Sequence, residues 1–201
     1  MQPRHAVTGH RGGPCIIRQP RQVAALATPV RQSIVDAIAA SGACTVAELA
    51  AQLGRPASGL YHHVRALERV GLLVCEGEGE SPARGAGRPA ARYDVPGRPV
   101  RIEYAPGSAA TRRPMQRMVG AMTRLASREF GEGYREGVRV SGRRRELWAS
   151  RTEAWLTEEQ LERANVLLGE LFALFGEGAG APRSGARLRA LTFVLAPGRP
   201  E

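Results

Sequence analysis

The sequence predicts a mainly helical α+β fold, and three observations carry that prediction. Residues 28–70 hold three successive segments whose apolar residues recur on a helical period between clear start and stop signals. A short apolar run at 72–76 and a second strand candidate at 91–95 follow with a Gly/Pro/Arg-rich loop between them, as the strands of a hairpin would. The 201-residue chain is 43% hydrophobic, enough for one or two domains with real cores.

Residues 1–24 are polar, with Pro, Gly and Arg, and read as an N-terminal extension that is loose at its start. The first helix is expected from Thr28, a good N-cap, with Pro29 at the first helical position. Val30, Ile34, Val35 and Ile38 share one face, up to a stop at Ser41–Gly42. The second begins at Thr45, where "TVAE" forms a capping box with Glu48, and it runs through Val46, Leu49 and Leu53 to Gly54. The third starts near Pro56–Ala57 and ends at Gly71, a natural residue just past a helix end. Only about three residues separate the second and third helices, the spacing of a helix-turn-helix. With strands expected in "LLVCE" and "ARYDV", the order helix–helix–helix–strand–loop–strand is that of a winged helix. The domain boundaries implied are 25–98 for this unit and 99–201 for the remainder.

Three stretches carry a resemblance to a family. "ALATPVRQSIVDAI" (25–38) and "VAELAAQLGRPASGLYHHVRALERVGLL" (46–73) resemble the corresponding parts of ArsR-type bacterial winged-helix regulators, and the wing "GRPAARY" resembles wings ending in Arg and Tyr in related helix-turn-helix regulators. The likeness spans roughly residues 20–96. It implies a DNA-binding transcriptional regulator that acts as a homodimer through helices outside the helix-turn-helix. Metal-sensing members place paired thiols in the helix before the recognition helix. Here that segment reads "TVAELAAQL", with Cys44 alone ahead of it, and no metal or other cofactor is expected.

The third helix has two chemically distinct sides. Leu60, Val64, Leu67 and Gly71 fall together on a 3.6-residue period, and Ser58, Tyr61, His62 and Arg65 lie away from them. Such polar groups can hydrogen-bond base edges and phosphates in a major groove. His63, one step from the apolar stripe, reads as a packing residue. The wing supplies Arg84, Arg88 and Arg92, and the Arg-Pro step at Arg88–Pro89 favours an extended backbone suited to a narrow minor groove. The partner expected is double-stranded DNA, with a winged-helix protein–protein module as the alternative.

Charge agrees without deciding the matter. The formal net charge is +10, and the chain has no Lys, so all 29 cations are Arg. Residues 1–99 carry 12 Arg against 7 acids and the rest 17 against 12, so the excess is spread evenly rather than gathered on one segment. Cys15, Cys44 and Cys75 form no Cys-x-x-Cys pair, which excludes a zinc finger and argues for reduced thiols, a redox pair of Cys44 and Cys75 being the remote alternative. No apolar run reaches membrane-spanning length and residues 1–15 lack the apolar core of a leader, so a cytoplasmic protein is expected. The chain lacks a phosphate loop, a His-Glu-x-x-His pair and a Gly-x-Ser-x-Gly elbow, and no enzyme is expected. With 5% aromatic residues it is also poor in the stacking groups that RNA binding uses.

The C-terminal region is expected to serve dimerisation or to hold an unidentified small-molecule effector. Met115, Met118, Met122 and Leu125 repeat at 3-4-3 spacing, an a/d seam of about two heptads suited to a dimer contact. Residues 143–156 are expected as a strand anchored by Leu147 and Trp155. Thr157 caps a helix with Gln160 as its box partner, and Leu161, Ala164, Leu168, Leu171 and Phe175 form the apolar face. A last strand over 188–197 would complete a small α+β unit.

Overall fold

The computed structural model describes residues 13–78, 90–179 and 184–198. Its centre is the expected helix-turn-helix. A short N-terminal helix, α1 (Pro20–Ala25), precedes α2 (Pro29–Ser41). Thr28 is the N-cap of α2 and Pro29 its first residue, as the start signal required. The two-residue strand β2 (Cys44–Thr45) leads into α3 (Val46–Leu53). The capping box at its start is complete: the Thr45 amide donates to Glu48 Oε2 at 2.7 Å, and the Glu48 amide donates to Thr45 Oγ1 at 3.2 Å.

The third expected helix is divided. Ala57–Gly59 make one 3-10 turn, and α4 runs from Tyr61 to Arg69. Ser58 and Gly59 are weak helix formers, and the turn they occupy is the tighter kind. The end of α4 is sharp. Gly71 takes φ +74°, and the Leu72 amide donates back to the Leu67 carbonyl at 2.9 Å, the closing bond of a left-handed cap.

The wing strands follow as β3 (Val74–Glu78) and β4 (Ala91–Asp94), antiparallel, with β2 on the other side of β4. Cys44 and Cys75 both pair with Tyr93, from opposite sides. They are therefore two strand spacings apart, about 9–10 Å, too far for a disulfide without moving the backbone. Burial also pushes the Cys44 thiol up to about 11, away from thiolate reactivity.

The N-terminal stretch is more ordered than its composition suggested. β1 (Cys15–Ile17) pairs in parallel with β5 (Val100–Ile102), and α1 packs along the long helix α5 (Ala109–Gly133). One continuous core holds Ile17, Val23, Leu26, Ile34, Ile38 and Met118 together with Leu49, Leu60 and Leu67. Buried Gln32 fastens this layer, donating from Nε2 to the Leu26 carbonyl at 2.7 Å and the Met118 carbonyl at 3.0 Å. An alanine at Gly97 would bring its Cβ to 2.2 Å from the Gly13 carbonyl oxygen, so the absent side chain is what lets the N-terminal segment lie against the wing's exit.

Two expectations for the C-terminal half are corrected. Residues 143–156 and 188–197 form no strand. Among the described residues neither has a neighbouring strand to share a ladder, and Trp155, the expected anchor, is 94% exposed. Side-chain contacts hold this region instead: Glu146 binds Arg139 at 3.1 Å and Arg189 at 2.5 Å, and the Arg145 guanidinium stacks over Trp148 at 3.9 Å. The last helix, α6 (Glu158–Glu177), forms as expected from its Thr157–Gln160 capping box. The fold is a mainly α-helical α+β winged helix-turn-helix with a helical C-terminal half.

Candidate nucleic-acid interface

α4 buries one side and opens the other. Leu60, Val64 and Leu67 are at most 1% exposed, which fixes the rotation of the helix against α2 and α3. Ser58, Tyr61, His62 and Arg65 are all exposed, Tyr61 by 51%. On a helical period Tyr61, His62 and Arg65 line one face, and Ser58 in the preceding turn extends it toward the α3–α4 junction. Arg65 makes no ion pair among the described residues. A phenol, an imidazole, a hydroxyl and a guanidinium thus stand together on a short, rigidly seated helix.

His63 sits at the edge of this face, half-buried, with its ring 3.8 Å from that of His62. Its Nδ1 is buried and has no hydrogen-bond partner among the described residues, and the same holds for Nε of Arg31 on α2. Burial, followed by the positive charges of His62, Arg31 and Arg55, lowers the His63 pKa and keeps the ring neutral near pH 7. Arg31 and Arg55 therefore add positive potential at the start of α4. Sequence reasoning did not select them. The only signal was position: Arg55 lies in the three-residue turn between α3 and the 3-10 turn, and Arg31 in the first turn of α2.

The wing residues divide. Arg84 and Arg88 lie outside the described residues. Arg92 is held by neighbouring elements of the domain. Its guanidinium binds the Ala43 carbonyl and reaches Glu48 Oε2 at 3.3 Å. It thereby ties β4 to the capping box of α3. Arg98 does comparable work deeper in the fold. It pairs with the buried Asp94 carboxylate and donates to the Ile38 and Ala39 carbonyls, each at 2.9 Å, closing the C-terminal end of α2.

The residues expected as a dimer seam on α5 divide between buried and partly exposed. Met118 is 2% exposed and Leu125 7%, both turned into the chain's own body, while Met115 packs partly against the same core. Met122 is half-buried. Met118 and Leu125 are thus taken up by the chain's own core.

Residues 26–76 match the family model of a helix-turn-helix domain. The match covers α2, α3, α4 and the start of the wing. It places a helix-turn-helix domain in the N-terminal part of this chain. No curated protein matches. Among solved structures, a MarR family protein of Mycobacterium tuberculosis, Rv2887, in complex with salicylic acid is similar at 19% identity. That match covers 76% of this chain and 85% of the other, with a TM-score of 0.26. Among the described residues, no helix is long and apolar enough to cross a membrane, and no group of three or more His, Cys, Asp or Glu side chains is gathered to hold a metal ion.

Proposed function

We propose that this protein is a sequence-specific double-stranded DNA-binding transcriptional regulator, of the ArsR-like kind, acting as a homodimer. The observation that carries the reading is the open polar face of α4 within a matched helix-turn-helix domain. In this reading α4 enters the major groove, where Ser58, Tyr61, His62 and Arg65 meet base edges and flanking phosphates. Arg31 and Arg55 attract the backbone beside it. Arg84 and Arg88 take part through their charge, as wing cations at the adjacent minor groove. One such unit covers only a few base pairs. A two-fold pair reads half-sites about one helical turn, roughly 10 base pairs, apart.

Mapping the genomic sites occupied by the full chain tests this. A recurring inverted repeat is expected, bound in vitro with an affinity that falls steeply with salt. A chain that shows no salt-dependent affinity for duplex DNA is instead a winged-helix protein-interaction module.

A further inference from the structure

α5 carries five arginines, and four of them form one row. On a 3.6-residue period Arg113, Arg117, Arg124 and Arg128 fall within an arc of about 60°, beside the side that buries Met118, Ala121 and Leu125. All four are exposed, and the row runs about 22 Å along the helix. The gap between Arg117 and Arg124 is closed over Gly120, where an added Cβ would lie 3.3 Å from Arg124 Nη1: the guanidinium lies back across bare backbone. Both glutamates of the helix, Glu129 and Glu132, fall outside the arc. Glu132 approaches Arg128 only to 3.9 Å, and Arg113, Arg117 and Arg124 have no ion pair among the described residues.

The row works against the free helix. Arg113 with Arg117, and Arg124 with Arg128, are like charges four residues apart, which repel. Arg112 and Arg113 stand within the first five residues of α5, at the positive end of its dipole, and the first turn has no acid. A polyanion relieves both. The make-up of the row selects which one. It offers no apolar anchor, because the apolar side of α5 is taken up by the core, and both membrane-surface helices and protein–protein interfaces rest on such anchors. Contacts with duplex DNA are chiefly charged, and guanidinium forks grip phosphate with two hydrogen bonds. The spacing also fits. The two arginine pairs are centred eleven residues apart, about 16 Å, long enough to span a major groove about 12 Å wide with one pair on each bounding strand. α5 packs on α1 and α2, and the polar face of α4 is turned away from the core these elements share, so the row and the α4 face are separate surfaces.

We propose that the arginine row of α5 is a second, sequence-independent duplex-binding surface, which holds the phosphate backbone of a DNA segment other than the one on α4. Arg113 and Arg117 grip one strand and Arg124 and Arg128 the other, across the mouth of the major groove and without base contacts. Each copy of the chain then carries one surface that reads sequence and one that holds duplex of any sequence. The choice of duplex as partner rests on the DNA-binding reading above. The test addresses the row residue by residue, so its failure is distinct from a failure of α4 to read an operator.

Footprinting of the full chain decides it. An arginine-specific dicarbonyl reagent is applied with and without a scrambled duplex, and the modified peptides are mapped by mass. The duplex is expected to protect Arg113, Arg117, Arg124 and Arg128 and to leave Arg112, exposed on another side of α5, reactive. The same protection is expected in a Tyr61→Ala, Arg65→Ala chain, whose operator preference is lost. A chain with all four row arginines changed to Gln is expected to hold less duplex at saturation than the unaltered chain, in sedimentation at low salt, and to keep its preference for operator over scrambled sequence. Row arginines that react alike with and without duplex, protection that vanishes with Tyr61→Ala and Arg65→Ala, or an unchanged saturation level in the Gln chain would each overturn the proposal. Polyglutamate that protects the row at lower concentration than duplex would make it a docking surface for an acidic protein segment, and would overturn it too.

Discussion

Arg98 is one of 29 arginines in the sequence, and nothing local distinguishes it. The structure gives it a buried carboxylate partner, Asp94, and the last carbonyls of α2. Removing one member of a buried pair leaves the other charged and unpaired, so Arg98→Ala is expected to cost about 3–5 kcal/mol of unfolding free energy. Urea denaturation measures it, and a cost below about 1 kcal/mol would contradict the assignment. His63 and Glu48 make a paired statement about pH. Glu48 has its pKa lowered, first by the Thr45 amide, then by the Thr45 hydroxyl and Arg92. Its contribution is complete above the ordinary 4.5 and is lost as pH falls through the depressed folded value. The His63 pKa is also lowered, so the unfolded chain takes up its proton first, and stability declines as pH drops below the ordinary 6.5. His63→Gln should therefore flatten the stability profile below pH 6.5, and Glu48→Gln the more acidic limb. Identical profiles for all three chains would contradict both environments. The residues expected to read DNA stand where the periodicity put them, because Leu60, Val64 and Leu67 fix the rotation of α4. Arg92 and Met118 could not be placed that way. Their roles depend on partners 44 or more residues distant, Glu48 for one and Gln32 for the other.

Helix starts were legible because they are local chemistry. Thr45 with Glu48 and Thr157 with Gln160 satisfy orphan amides within four residues of chain, and both boxes form. Thr45→Ala should cost about 1 kcal/mol, within the usual 0.5–2 kcal/mol for an N-cap, read as a shift in the denaturation midpoint. A neutral replacement would mean that Arg92 and the β2–β4 pairing hold α3 without its cap. Strands were legible only where the chain supplies a partner. Val74–Glu78 and Ala91–Asp94 are close in sequence and pair with each other. β1 was missed because its partner, Val100–Ile102, lies more than eighty residues away. The segments 143–156, with six charged residues among fourteen, and 188–197 find no ladder to join among the described residues. At Gly97 the side chain of alanine meets the Gly13 carbonyl, and Gly97→Ala should loosen β1. Faster amide exchange at Cys15, whose amide donates to the Pro99 carbonyl at 3.0 Å, is the readout.

Across the molecule, one core joins the helix-turn-helix to α1 and α5, so the elements behind α4 act as its mount. The even spread of arginine gave no hint of this, and net charge alone did not locate an interface. What singles out α4 for the proposed interface is the contrast between its sealed apolar side and its open polar one. The central claim is that this open side reads sequence, whereas the surrounding arginines supply attraction that any duplex would feel. Titration of Tyr61→Ala, Arg65→Ala and Arg55→Ala against operator and scrambled duplex, at several salt concentrations, separates the two. The Tyr61 and Arg65 variants are expected to lose about 1–3 kcal/mol on the operator and little on the scrambled duplex. Arg55→Ala is expected to weaken both alike and to reduce the salt slope by about one. Equal losses on both duplexes for Tyr61→Ala and Arg65→Ala would contradict the claim that α4 is the recognition helix.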